Sequence, residues 1–157
     1  FLRELGTDYL DLVLIHMVTA TSWPADLERM RDELSRLKQR GIVRAVGCSC
    51  HSHAALAVAA EHPWVDVILA RINPGGKSMD ADASIADVKS TLKKARANGK
   101  AVIGMKVYGN GGYAGPEQRR ASLQSAFADG LVDAVTIGHM NIEQFDDTLA
   151  NLEQVLG

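Results

Sequence analysis

His16 closes the apolar run DLVLIH, and an imidazole at the end of such a run has two uses. It can be satisfied by a backbone carbonyl, or, when neutral, it can donate to and polarise a substrate carbonyl. Lys106 closes a second run, AVIGMK. Its ammonium can form a Schiff base, hold a phosphate or carboxylate as a point charge, or simply stand in water. Cys48-Ser49-Cys50-His51-Ser52-His53 invites a metal reading. Along an extended chain, however, Cys48 and Cys50 point one way and Ser49 and His51 the other, while zinc sites draw on wider spacings and further ligands. No metal site is expected; Cys48 reads as core packing and the Ser49 hydroxyl as the better ligand contact. The glycine-rich stretch Tyr108–Gly115 lacks the Lys-Ser/Thr of a P-loop, and no GxGxxG opens a helix. A mobile lid or cofactor belt suits it equally well.

The elements that must position these groups repeat one grammar. GIVRAVG from Gly41, GKAVIG from Gly99 and GLVDAVTIG from Gly130 each follow a polar, helix-like stretch. Glycine there supplies the left-handed backbone that ends a helix. The apolar run behind it lacks alternation, as in a strand buried on both faces. Strands are predicted at Tyr9–His16, Val43–Cys48, Val65–Leu69, Ala101–Met105 and Ala134–Ile137. Between them, Leu27, Met30, Leu34 and Leu37 recur at helical period, with Ser22 as cap, Pro24 in the first turn and Gly41 at the end. Ser84 caps a second helix carrying Ile85, Val88, Leu92 and Ala95 inward. A last one from Asn141 sets Ile142, Phe145, Leu149, Leu152 and Val155 on one side. Tyr108–Gly115 is expected to be the one long irregular excursion. Strands alternating with helices, with no hairpin signal, mean a parallel α/β sheet, open or part of an eight-fold barrel.

In such sheets function gathers at the C-terminal strand ends. Those ends carry His16; Cys48, Ser49, Cys50 and His51; Arg71, Asn73 and Pro74; Lys106; and Gly138 with His139. The 157 residues, 46% hydrophobic and 23% charged, are enough for one domain with a core. A net charge of −2 gives no reason to expect nucleic acid or an anionic membrane. The apolar runs are too short to span a bilayer. Two cysteines one residue apart make no disulfide framework, so a reducing, cytoplasmic setting is expected. The chain opens on Phe1 in FLRELG, which reads as the end of a helix, so an upstream segment is expected.

The order of these pieces resembles the aldo-keto reductase superfamily. LRELGTDYLDLVLIH is similar to the family segment that ends on its active-site histidine, here His16. LKQRGIVRAVGCSCH, VDVILARINP, NGKAVIGMKVYGNG and VDAVTIGHMNIEQFDDTLANLEQ follow in the family's order, nearly end to end. The resemblance implies an incomplete TIM-type (β/α)8 barrel, with about five parallel β/α units corresponding to the fourth to eighth strands and residues 1–157 as one C-terminal portion. It implies NAD(P)H-dependent reduction of a small-molecule carbonyl, with NADP or NAD lying across the strand ends. His16 would orient the carbonyl and Ser49 hold the nicotinamide carboxamide.

The resemblance also marks an atypical member. The family's carboxamide-binding Asn is Cys50 here, its Gln on the next strand is Leu69, and its stacking aromatic is Met105. The Lys-Ser pair and Arg that grip a 2′-phosphate align with Gly138, His139 and Gln144. The Glu and Asn at the adenine end align with Asp147 and Thr148. The family's tyrosine acid, its lysine and its aspartate belong to the first three strands, which these segments do not include. This polypeptide alone is therefore expected to have no turnover, and either to self-associate or to pair with a missing N-terminal half. Two other readings stand beside it: a lyase using Lys106 as a Schiff-base nucleophile, and a catalytically silent barrel that only binds.

Overall fold

The computed structural model describes residues 1–157, apart from the side chain of Asp129. Strands β1 (Leu10–Val18), β2 (Val43–Cys50), β3 (Val67–Arg71), β4 (Ala101–Met105) and β5 (Ala134–Val135) form one sheet. Every neighbouring pair is parallel, and the strands lie side by side in chain order. That order has no reversal point, so successive right-handed crossovers set the helices on the same face, as in the wall of a barrel. These are α1 (Leu2–Leu5), α2 (Trp23–Asp26), α3 (Glu28–Gln39), α4 (His53–Glu61), α5 (Ile85–Ala97), α6 (Pro116–Phe127) and α7 (Ile142–Leu156).

Alternation along the strands decides which side chains meet the helices. Ile15, Val46, Cys48, Ile68, Ala70 and Val102 are buried in one cluster with Ala55, Leu56, Val88, Leu92 and Leu123 of the helices. The opposite parity, Leu12, Leu14, Ala45, Val67, Leu69, Ala101 and Ile103, is only half-buried. That second face is the one a barrel turns inward. Gly41, Gly99 and Gly130 have φ of 74°, 75° and 63°, the left-handed turn from helix to strand that the repeated grammar predicts. Ser84 caps α5 in a full capping box with Asp87. No helix among the described residues is long and apolar enough to cross a membrane.

Several boundaries differ from expectation. The third strand lies at Val67–Arg71, two residues late, because Asp66 ends the preceding turn. Its carboxylate accepts from Val46 N–H, its own N–H donates to Val46 O, and ladder pairing starts at Gly47–Val67. The first strand continues past His16 to Val18 through an irregularity between Ile15 and Val18. The last is cut to Ala134–Val135. The helix predicted from Ser22 breaks at Leu27 into α2 and α3. Ser22 does not cap it: its backbone is helical, and its hydroxyl donates to Asp26 instead. On α7 the expected inward stripe is exposed at Ile142 (75%), Phe145 (48%) and Leu149 (44%). The connection from Ile72 to Ala83 between β3 and α5 is a second long irregular excursion beside Tyr108–Gly115.

Candidate functional site at the strand mouth

Four non-glycine residues have left-handed backbone: Met17, Ser78, Lys106 and Asn110. All lie at or beyond the C-terminal ends of β1, β3 and β4. Side chains disfavour this region, so it persists where packing and hydrogen bonds over-determine it, and it concentrates at functional sites. At Lys106 (φ 57°) the backbone carbonyl accepts from Asn73 Nδ2 while Nζ donates to Asn110 Oδ1 at 3.2 Å.

A hydrogen-bonded chain crosses the ends of β2 and β3. Asp80 Oδ1 accepts from an Arg71 guanidinium nitrogen at 2.8 Å, a second guanidinium nitrogen lies 2.7 Å from His51 Nδ1, and His51 Nε2 lies 3.0 Å from Ser49 Oγ. The His16 ring meets the His51 ring edge-on, with centroids 5.7 Å apart. Arginine only donates, so Nδ1 of His51 must present its lone pair and the ring proton sits on Nε2, aimed at Ser49. Burial pushes the His51 pKa down, and the positive charges of Arg71, His16 and Lys106 push it the same way. The imidazole is therefore neutral at physiological pH.

Asp80 anchors this chain from below. Burial raises its pKa, although Arg71 pulls against that shift. A carboxylate whose folded pKa lies above its unfolded one is destabilising once the pH rises through that range. Arg71→Leu removes the guanidinium paired with Asp80 and should raise the pKa further. With Arg71 itself 21% exposed, the expected loss at pH 7 is about 2 kcal/mol, below the usual range for a fully buried pair. The loss should shrink at pH 4, on the way down through the raised range in which Asp80 takes up its proton. Urea unfolding of both proteins at the two pH values checks this, and a loss equal at both would contradict it.

The two irregular loops are clasped together. Tyr113 Oη donates to Asn73 Oδ1 and accepts from Gly75 N–H, both at 2.9 Å. Asn73, fully buried, also accepts from Lys77 N–H and donates to Lys77 O. Lys77 Nζ donates to Gly112 O at 2.6 Å. The glycine-rich loop is thereby held beside two adjoining cavities that share Tyr108, Gly111 and Gly138. One, of about 410 Å³, is lined by Met105, Lys106, Asn110 and Thr136. The other, of about 400 Å³, is lined by Tyr113, Arg119, His139 and Gln144.

The structure thus brings His16, Ser49, Leu69, Met105 and Lys106 to one side of the sheet at the strand ends, with Gly138, His139 and Gln144 continuing the line. Cys50 is not among them. Its thiol faces the helices at 1% exposure, 3.7 Å from Cys48 Sγ, so it cannot line the mouth, and the Cys48 contact and burial push its pKa up. Ser49 lies on the mouth side but is only 1% exposed, with its hydroxyl hydrogen-bonded to His51. Asp147 is tied to Arg119 Nε at 2.8 Å. His139 Nε2 and Tyr108 Oη both meet Thr148 Oγ1, at 3.0 and 3.1 Å. Sequence reasoning missed Asp80, Tyr108, Tyr113 and Arg119. The signal for the last was its place one turn into a helix opened by Pro116, next to the glycine loop.

The sequence model described as the aldo/keto reductase family matches residues 1–156. No curated protein matches the sequence. Among solved structures, the Pseudomonas aeruginosa protein PA4992, assigned as an aldo-keto reductase, superposes with a TM-score of 0.79 at 22% identity, over 99% of this chain and 56% of its own. The holo form of aldo-keto reductase AKR11C1 from Bacillus halodurans gives 0.75 at 17%, over 97% and 56%. Glycerol dehydrogenase AKR11B4 from Gluconobacter oxydans gives 0.60 at 14%, over 99% and 62%. At these identities the likeness establishes the fold. The chain spans 56% of the length of the first of these structures.

Proposed function

The chain belongs to the aldo/keto reductase family, and from that premise we propose that it forms part of an oxidoreductase reducing a small-molecule carbonyl with NADPH or NADH. The observation that carries this reading is the pair of adjoining cavities beside the strand ends, running from Met105 and Lys106 to His139 and Gln144. Their line suits an elongated, anionic dinucleotide; Lys106 supplies a cation to the first, while the Arg119 guanidinium lining the second is paired with Asp147. Bound there, the cofactor would supply the hydride. Lys106 and Asn110 would hold phosphate oxygens, Met105 would pack against the nicotinamide ring, and His139, Gln144 and Arg119 would flank the far end. His16, exposed at the end of β1, would donate to the carbonyl oxygen and orient it.

A Schiff-base role for Lys106 finds no support in this geometry. Such lysines are activated by desolvation or by a neighbouring cation, whereas Lys106 is partly exposed and hydrogen-bonded to Asn110.

The half-buried sheet face and the exposed stripe of Ile142, Phe145 and Leu149 support an association. Further β/α units closing the barrel fit them best, and a second copy is the other candidate.

Intact mass and a fluorescence titration with NADPH and NADH test the reading together. Saturable binding with Kd in the range of about 1 μM to 1 mM is expected. No binding of either nucleotide to a protein whose mass accounts for a closed barrel would overturn it.

A further inference from the structure

Two Asn-Gly pairs occur in the chain, Asn98-Gly99 and Asn110-Gly111. An asparagine in such a pair can lose its side-chain amide, because the next backbone nitrogen closes a five-membered ring on Cγ. Glycine leaves that approach free of any side chain. The other asparagines lack the opening: Asn73 precedes Pro74, which has no N–H, and Asn141 and Asn151 precede Ile142 and Leu152.

The two pairs stand in opposite settings. Asn98 ends α5, and its Nδ2, the nitrogen that would leave, donates to Ala60 O at 2.9 Å. Gly99 N–H donates to Arg96 O at 2.9 Å, and the following Lys100 is buried. Freeing that turn means opening the junction of α5 with β4. Asn110 lies instead on the exposed turn of the glycine-rich loop, in left-handed backbone with φ of 56°. Gly111 behind it is exposed too, and its N–H donates to Tyr108 O at 3.1 Å. A surface turn of this kind opens at lower free energy than a helix–strand junction. Lys106 adds a chemical push. Its Nζ donates to Asn110 Oδ1 at 3.2 Å, so the ammonium polarises the amide and stands where an oxyanion would form.

We propose that Asn110 is a deamidation site assisted by Lys106, and that the carboxylate it yields pairs with Lys106 inside the cavity. Gly111 N bonds to Asn110 Cγ, the Cγ–Nδ2 bond breaks, and Nδ2 leaves as ammonia with the proton from Gly111 N. Water then opens the succinimide ring at one of its two carbonyls. Opening at Cγ leaves aspartate, and opening at the backbone carbonyl leaves isoaspartate. Water is the only reagent consumed. Either product sets a negative charge beside the Lys106 ammonium, in the cavity of about 410 Å³ that both residues line. The cation is then paired from within the chain, and an incoming phosphate meets a like charge. This consequence rests on the reading that the cavity takes the cofactor's phosphates, whereas the deamidation itself does not.

Peptide mass mapping of the purified chain, held at pH 8 and physiological temperature, tests the chemistry. Replacement of NH2 by OH at Asn110 should run at least about tenfold faster than at Asn98 in the same molecules. Isoaspartate should be among the products, as the ring requires. Lys106→Met should slow the Asn110 reaction about threefold, a fraction of what an enclosed oxyanion donor supplies, and leave Asn98 as it was. Asn98 reacting as fast as Asn110, aspartate without isoaspartate, or an Asn110 rate not slowed by Lys106→Met would overturn the proposal. For the cavity, Asn110→Asp should weaken NADH binding about three- to fivefold, as expected for one partly screened charge. Undiminished affinity in that variant would overturn the pairing with Lys106. Absence of NADH binding in wild type and variant alike would instead overturn the proposed function, and the two deamidation rates would still decide this inference.

Discussion

Replacing Gly47 with alanine is expected to cost about 3–4 kcal/mol of stability, the largest single-residue effect on the fold. Gly47 lies in the middle of β2, paired with Leu14 on one side and Val67 on the other. A Cβ built there stands 1.8 Å from Val67 O, 2.8 Å from Val67 C and 3.1 Å from Leu14 Cδ2. The first two atoms are backbone, so no rotamer change relieves them and β3 itself must retreat by more than an ångström. Pairing between β2 and β3 is only three residues long, starting at Gly47–Val67. The displacement therefore reaches Ser49 and the mouth. Gly41→Ala is the matched control: it has φ of 74° with nothing within 4 Å of the added methyl. It should cost only the left-handed strain, about 1–2 kcal/mol. Denaturant midpoints followed by circular dichroism separate the two, and a Gly47→Ala loss no larger than that of Gly41→Ala would refute the steric argument.

This contrast shows where the fold was legible. The glycines opening GIVRAVG, GKAVIG and GLVDAVTIG announce themselves, because left-handed turns between helix and buried strand leave a local signature. Gly47 does not, because its reason is a carbonyl twenty residues away. The same division runs through the site. Strand alternation placed Ser49 and His51 together and Cys50 opposite them, whereas alignment by family order set Cys50 at the cofactor. Where the two disagree, the buried thiol follows alternation. Asp66 delaying β3, Asp80 beneath Arg71 and Tyr113 clasping Asn73 depend on tertiary partners. Short-range pattern cannot carry them. The exposed stripe on α7 is a different case: the helical period places Ile142, Phe145 and Leu149 on one side, but only Leu152 and Val155 of that side pack against the core.

Reductase turnover is expected to be absent from the 157-residue chain by itself and to appear only when further β/α units close the sheet. His16, Ser49 and Lys106 can orient, bind and neutralise, but none of them is placed as the acid that delivers a proton to the reduced oxygen. Tyr9 lies before β1, Tyr108 is bound to Thr148, and Tyr113 is spent on Asn73. Burial raises the Tyr108 pKa, which makes it a poorer acid still. In a closed barrel that turns over an aldehyde, His16→Ala should lower kcat by about 10²- to 10³-fold, the range for one hydrogen-bond donor aimed at the reacting oxygen. NADPH affinity should stay near that of the parent protein, because the cavities beside Lys106 and Arg119 do not include His16. Steady-state kinetics and the fluorescence titration measure the two separately. A His16→Ala protein that loses cofactor affinity and keeps kcat would reverse the assignment, placing the histidine with the nucleotide and leaving the carbonyl to groups on the strands that close the sheet.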